Sequence, residues 1–290
     1  MRLLTFCKQN ESKIGIVVKV ENREMVLDLN NAYPARFKNL KSLLAVWEGH
    51  RVQIEKLILS PQPENLYELS EIQYRPVITH PEKIICIGLN YLDHALETNA
   101  KIPTSPIIFG KYNNVLTGHL EPIQLTAASA EVDYEAELAV IIGKPGKNIK
   151  AADAYNYVAG YSIFHDVSAR DLQMRGSQWT LGKSLDTFGP LGPWIVTADE
   201  IPDPHQLKIS LSIDGEIMQS SNTSEMIFKI PQLIEEISKV MTLVPGDIIA
   251  TGTPAGVGFT RMPPRFLKAG ERVSIEIEKI GRLENPVVAG

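Results

Sequence analysis

Residues 131–142 read EVDYEAELAVII, and the alternation within them decides what fold the chain can adopt. Val132, Tyr134, Ala136, Leu138 and Val140 fall at every second position, the period of a β-strand. Asp133, Glu135 and Glu137 occupy the other face. Like charges side by side on a strand repel, and Asp and Glu are poor strand formers. One reading is a solvated edge strand. The continuation LAVIIG is wholly apolar, however, which points to a central strand. Carboxylates at the head of a central strand need a compensating cation.

Working outward, further strands are expected at 83–89, 106–109, 158–166, 192–197, 207–213, 247–251 and 272–277. Helices are fewer. The best are 151–158 and 229–243, the second with Leu233, Ile234, Ile237 and Val240 on one stripe and Pro231 near its start. Before residue 75 the spacing predicts two short strands joined by a polar turn at Glu21–Asn22–Arg23, then a helix over 36–60. SPQPEN (60–65) is a breaker-rich connection. The pattern is mainly β with attached helices, an α+β class. Residues 1–75 read as a small N-terminal domain and 76–290 as the larger one. Strands do not alternate regularly with helices, so a doubly wound sheet is not expected.

Bulk properties exclude several classes. The 290 residues are 44% hydrophobic and 22% charged, with a net charge of −5. No Lys/Arg run suggests a nucleic-acid surface. No stretch approaches the ~18 apolar residues of a membrane span. Only Cys7 and Cys86 occur, so no disulfide framework is expected and a reducing compartment fits. The start, MRLLTFCKQN, lacks the apolar core of a secretory signal and is not Arg-rich. A cytoplasmic protein is expected, or a mitochondrial matrix protein had a leader been removed.

Four segments carry chemistry. Glu135 and Glu137 stand roughly 7 Å apart along a strand, and Asp166 closes a second apolar run, GYSIFHD (160–166). Hard divalent cations take such oxygen ligands, and Mg²⁺ keeps open positions for water or substrate. Asp133 is an alternative ligand or a supporting acid; spacing alone does not choose. Zinc is not expected, because no Cys/His pair has suitable spacing. His94 and Glu97, in NYLDHALE (90–97), meet on one helical turn and form a candidate general base, or else a lone surface pair. GKS at 182–184 is not a phosphate loop, since Ser177 stands where the motif needs Gly. Lys183 lies in an apolar context that suits a buried lysine able to stabilise an oxyanion. GDIIATGTPAGVG (246–258) is a Gly-rich turn after a strand, suited to close ligand approach or simply a tight turn.

Taken in order, ICIGLNYLDHALE, PIIFGK, DYEAELAVIIGK, GYSIFHDVSARDLQ, QWTLGKSLDTFGPLGPW, SSNTSEMIF and PGDIIATGTPAGVG resemble the fumarylacetoacetate hydrolase superfamily over residues 80–280. Residues 1–75 resemble its shorter N-terminal domain more loosely. The resemblance implies a mixed β-roll catalytic domain, usually as a homodimer. It also implies Mg²⁺, with Mn²⁺ or Ca²⁺ as alternatives, on Glu135, Glu137 and Asp166. Lys183 matches the active-site lysine. Arg170 and Gln173 match substrate-gripping residues, and Thr253 one that contacts a substrate carboxylate. His94 and Glu97 match a dyad on a lid segment. The implied substrates are small 2-oxo acids, handled through a metal-bound enolate. SSNTSEMIF and LDTFGPLGP look most like the branch of domain-containing proteins, for which oxaloacetate keto–enol tautomerisation is the expected reaction. Acylpyruvate C–C hydrolysis and oxaloacetate decarboxylation are the alternatives, and a catalytically inactive metal-binding protein is the alternative of another class. The chain is shorter than classical fumarylacetoacetate hydrolase, which argues against fumarylacetoacetate as substrate.

Overall fold

A computed structural model describes residues 1–33 and 37–290. Its largest sheet runs, edge to edge, through Leu66–Glu68, Arg23–Asp28, Glu11–Val20, Arg2–Lys8, Gly189–Thr197, Val158–His165, Ala136–Ile142, Ile248–Ala250, Ile84–Gly88 and Ile107–Lys111. A second sheet orders Glu216–Asn222, Lys208–Ile213, Arg272–Ile277, Gly281–Ala289 and Ile123–Leu125. This is the expected sheet-dominated α+β class. The N-terminal strands continue the large sheet, because Arg2 and Leu3 pair antiparallel with Val196 and Ile195.

The alternation in 131–142 sorts residues between two cores. Leu138, Val140 and Ile142 pack with Ile209, Leu211, Ile275 and Leu283 of the second sheet and with Leu233, Ile234 and Ile237 of the Ile230–Val240 helix. Ala139 and Ile141 face the opposite way, toward Ile14, Ile16 and Leu27 of the N-terminal hairpin and Leu43 and Ile54 of its helices. Each such side chain removed from water contributes about 1.5–3 kcal/mol. Burial on both faces makes Ala136–Ile142 a central strand, as its apolar run implies.

Several boundaries differ from the sequence pattern. The stretch 131–142 is not one strand. Val132–Asp133 pairs with Ser168–Ala169, and Ala136–Ile142 pairs with Val158–His165. The chain leaves both ladders at Tyr134–Glu135, which the periodicity does not betray. The helix expected over 36–60 is two helices, Leu40–Leu44 and Trp47–Leu59; Arg36 lies outside the described residues. The β-branched Val46, with φ −127°, interrupts them. Residues 151–157 form a 3-10 helix rather than an α-helix. Strands at Arg2–Lys8, Glu216–Asn222 and Gly281–Ala289 were not anticipated. The turn at Glu21 and Asn22 is as expected, with φ of 47° and 66°, the positive values of a two-residue hairpin turn.

The site follows from where strands end. Ala136 pairs with His165, so the start of one central strand lies beside the end of its neighbour. Ile248–Ala250 and Ile84–Gly88 run parallel, and their C-terminal ends reach the same edge. Gly252, at φ +98°, turns the chain there. A side chain would place a Cβ 2.8 Å from Cβ of Asn90, so only glycine fits.

Candidate active site

Strand ends and three short helices, Leu92–Glu97, Arg170–Gln173 and Thr180–Lys183, line a cavity of about 180 Å³. His94, Glu135, Glu137, Asp166, Arg170, Gln173, Lys183 and Thr253 all line it. Glu97 stands behind His94. The sequence-derived residues, separated by up to 159 positions, are thus brought to one place.

Glu135, Glu137 and Asp166 each present an oxygen, and the three oxygens lie within 4.8 Å of one another. All three residues are buried. Lys183 Nζ donates to Glu135 Oε2 at 2.7 Å and to Asp166 Oδ2 at 2.8 Å. Arg170 Nη2 approaches Glu135 Oε1 at 2.7 Å. Burial pushes the Glu135 carboxyl up, but Lys183 and Arg170 outweigh it and hold its pKa well below the ordinary range. Glu137 behaves oppositely. Burial, then the charges of Asp166 and Glu135, push it well above the ordinary value. Its one hydrogen bond among the described residues comes from Gly252 N–H at 2.9 Å, and it has no ion pair. A hard divalent cation fits this set: oxygen donors only, on one side of a cavity, with one carboxylate lacking a positive partner.

Asp133 faces away from the triad. It accepts from Arg170 Nε at 2.8 Å and from the N–H groups of Gly258 and Phe259 at 2.7 and 3.1 Å. It thereby ties Arg170 to the Gly-rich loop, and Arg170 also packs over the Phe259 ring at 4.4 Å. Arg170 Nη1 donates to Gln173 Oε1 at 3.0 Å. Gly182 allows this cluster to close, because a Cβ there would lie 2.6 Å from Gln173 N.

His94 Nδ1 lies 3.1 Å from Glu97 Oε2, on the Leu92–Glu97 helix. Glu97 Oε1 accepts from Gly256 N–H and Thr260 Oγ1, both at 2.9 Å. Burial raises the Glu97 pKa, but His94, Gly256 and Thr260 together bring it below its ordinary value.

Sequence reasoning missed two buried polar residues. Lys111, at the end of PIIFGK, donates to Asp166 Oδ1 and to the carbonyls of Val167 and Phe188. A charge closing an apolar strand was its only signal. Gln219 bridges the acidic strand and Thr253; nothing in EIMQSS marks it.

The model for the fumarylacetoacetate (FAA) hydrolase C-terminal region matches residues 83–288. The chain belongs to the fumarylacetoacetate hydrolase family. It is therefore a member of an enzyme family with the fold the sequence suggests. The mitochondrial oxaloacetate tautomerase fahd2 of Xenopus laevis is 47% identical over 99% of this chain and 90% of its own. The oxaloacetate tautomerase YisK of Bacillus subtilis is 41% identical over 99% of this chain and all of its own. Maleylpyruvate hydrolase from Sphingobium, solved with manganese(II) and pyruvate, is 32% identical with a TM-score of 0.81 and covers both chains fully. The acidic triad here is suited to a metal ion. No helix among the described residues is long and apolar enough to cross a membrane.

Proposed function

We propose that this chain is a Mg²⁺-dependent keto–enol tautomerase of oxaloacetate. The observation that carries the reading is Glu137, which lacks a cationic partner, beside two lysine-bound carboxylates in a small cavity. The tautomerase names of the relatives support the choice of reaction. At about 30 Å³ per water, the 180 Å³ cavity suits a small 2-oxo acid. Glu135, Glu137 and Asp166 would hold the cation; Mn²⁺ and Ca²⁺ have the same donor preference. When bound, such an ion supplies Lewis-acid polarisation of a 2-oxo group.

The chain's own residues do the rest. Arg170 and Gln173 grip a carboxylate, and Thr253 offers it a hydroxyl. Lys183 places a positive charge against the oxygen that becomes negative when the C3 proton leaves, which stabilises the enolate more than the ketone. Phe109 and Trp179, edge to face at 5.2 Å, supply an apolar wall of the cavity. Ketonisation returns a proton to carbon and removes one from oxygen, so no water enters the balance.

A second reading, acylpyruvate hydrolysis, is favoured by one observation: the His94–Glu97 pair can activate a water. The test measures both reactions with and without EDTA, following enol-oxaloacetate decay optically and acetylpyruvate cleavage separately. The wild type is expected to accelerate enol decay in an EDTA-sensitive way. His94→Ala is expected to spare that activity relative to cleavage, which would fall roughly 10²–10⁴-fold if present. Efficient cleavage with no acceleration of enol decay overturns the tautomerase reading.

A homodimer is part of this proposal. Ile107–Lys111 is an outer strand of the large sheet, and Ile108, Tyr112 and Leu181 are 40%, 63% and 68% exposed around it. An apolar edge invites pairing with a second copy. Light scattering is expected to give a dimer mass and Ile108→Lys a monomer; a wild-type monomer at all concentrations rejects it. A reducing compartment, cytoplasm or mitochondrial matrix, accords with free, buried Cys7 and Cys86.

A further inference from the structure

Gln219 is 1% exposed and stands 34 positions from Thr253, its nearest neighbour in sequence among the site residues. Its side chain makes three hydrogen bonds. Oε1 accepts from Ala136 N–H at 2.9 Å. Nε2 donates to Pro254 carbonyl at 2.8 Å and to Thr253 Oγ1 at 2.9 Å. Two of these partners have no choice of role. A backbone N–H only donates and a backbone carbonyl only accepts. They fix which end of the amide is oxygen and which is nitrogen, an assignment otherwise left to the network.

The third bond follows. Both hydrogens of Nε2 are committed, so Thr253 Oγ1 can only accept from Gln219. Its own hydrogen must go elsewhere, and Thr253 donates to no group among the described residues. The residue lines the cavity. The preceding residue is tied to the acidic strand, since Gly252 N–H donates to Glu137 Oε2.

We propose that Gln219 is a positioning residue that forces the Thr253 hydroxyl to act as a hydrogen-bond donor into the cavity, selecting a carboxylate there. A neutral amide with its polarity fixed by backbone discriminates in a way a simple packing residue would not. The carboxylate is taken as the substrate's on the functional reading above, and the test separates the two.

The informative substitution is Gln219→Glu. A carboxylate still accepts from Ala136 N–H but cannot donate to Thr253. It instead accepts the Thr253 hydrogen and removes it from the cavity. Calorimetry with Mg²⁺-loaded protein would use pyruvate, the shortest stable 2-oxo acid, as probe. Thr253→Val and Gln219→Glu are each expected to weaken pyruvate roughly 10- to 100-fold, the range for one hydrogen bond to a charged group. The double variant is expected to be no weaker than the worse single one, because both remove the same donor. Thr253→Ser is expected to retain wild-type affinity. With oxaloacetate, the loss is expected in KM more than in kcat.

Additive losses in the double variant, or undiminished pyruvate affinity in Gln219→Glu, overturn the proposal. Gln219 also holds the strand between Glu135 and Glu137, so Mg²⁺ affinity is measured alongside. A loss of Mg²⁺ binding equal to the loss of pyruvate would assign Gln219 to the strand instead, and also overturn it. If Gln219→Glu does not fold, Gln219→Met tested against Thr253→Val in the same cycle decides. Wild type that binds pyruvate but leaves enol-oxaloacetate decay unchanged defeats the tautomerase reading alone.

Discussion

Titration of the metal-free protein with Mg²⁺ is expected to show one binding event, and Glu137→Ala to weaken it by more than ~100-fold. Even outlying groups around a metal site cost 10–100-fold, and Glu137 is placed to be a direct ligand. The charges around the cavity explain why it matters most. Fully ionised, Asp133, Glu135, Glu137 and Asp166 would carry four negative charges. Lys111, Lys183 and Arg170 carry three positive ones, and every one of them is paired with Asp133, Glu135 or Asp166. Glu137 is left over, buried beside two like charges. Ionising it without a partner is costly, which is why its pKa stands well above the ordinary value, so the neutral Glu137→Gln is expected to leave the melting temperature of metal-free protein at or above that of wild type while abolishing stabilisation by Mg²⁺. Most substitutions of a buried, hydrogen-bonded carboxylate do the reverse. Undiminished Mg²⁺ affinity in Glu137→Ala, or a lower metal-free melting temperature in Glu137→Gln, would remove Glu137 from the metal site.

That surplus charge is also what made the site legible. An acid inside an apolar alternation violates strand propensity, and such local conflict marks function. Glu135, Glu137, Asp166 and Lys183 stood out for this reason. The central strand was readable because its apolar run exceeds what an edge strand needs. The break at Tyr134–Glu135 was not, since leaving a ladder changes hydrogen bonds without changing the order of side chains. The split of 36–60 was hidden similarly, because two helices sharing a core keep one apolar stripe. Gln219 and Lys111 were invisible as functional residues. Their roles come from partners 83 and 55 positions away, and no local pattern encodes a contact of that range. The order of six or more short motifs carried the family resemblance; spacing alone left Asp133 as an alternative ligand, and only the resemblance favoured Glu135, Glu137 and Asp166, the three whose oxygens the structure brings together.

Lys183→Met is expected to lose most of the tautomerase activity, at ~3 kcal/mol in the barrier, the cost of removing an oxyanion donor. Two roles compete for this lysine: a charge that stabilises the enolate, or a nucleophile that forms an imine with the 2-oxo group. The surroundings favour the charge. An imine needs a neutral amine. Burial pushes the Lys183 ammonium toward losing its proton, but Asp166 and Glu135 outweigh burial and raise its pKa. Both carboxylates sit within 2.8 Å of Nζ, and the side chain is 3% exposed, so the proton has no easy exit. A cation on the same carboxylates would loosen that hold, so the decisive trapping experiment uses Mg²⁺-loaded enzyme. Borohydride added with oxaloacetate is expected to leave the mass of the chain unchanged; an adduct on Lys183 would establish the imine and reject the electrostatic role. Folding and chemistry must be told apart, because Lys183→Met leaves Glu135 and Asp166 less compensated. Breaking a buried pair on one side costs about 3–5 kcal/mol of stability. Mg²⁺ supplies charge to those same oxygens, so it is expected to raise the melting temperature of Lys183→Met by more than that of wild type. Activity that stays low in Mg²⁺-stabilised, folded Lys183→Met then measures the missing charge at the enolate oxygen. Activity restored to the wild-type level by Mg²⁺ would reduce Lys183 to a structural counter-ion of the two carboxylates.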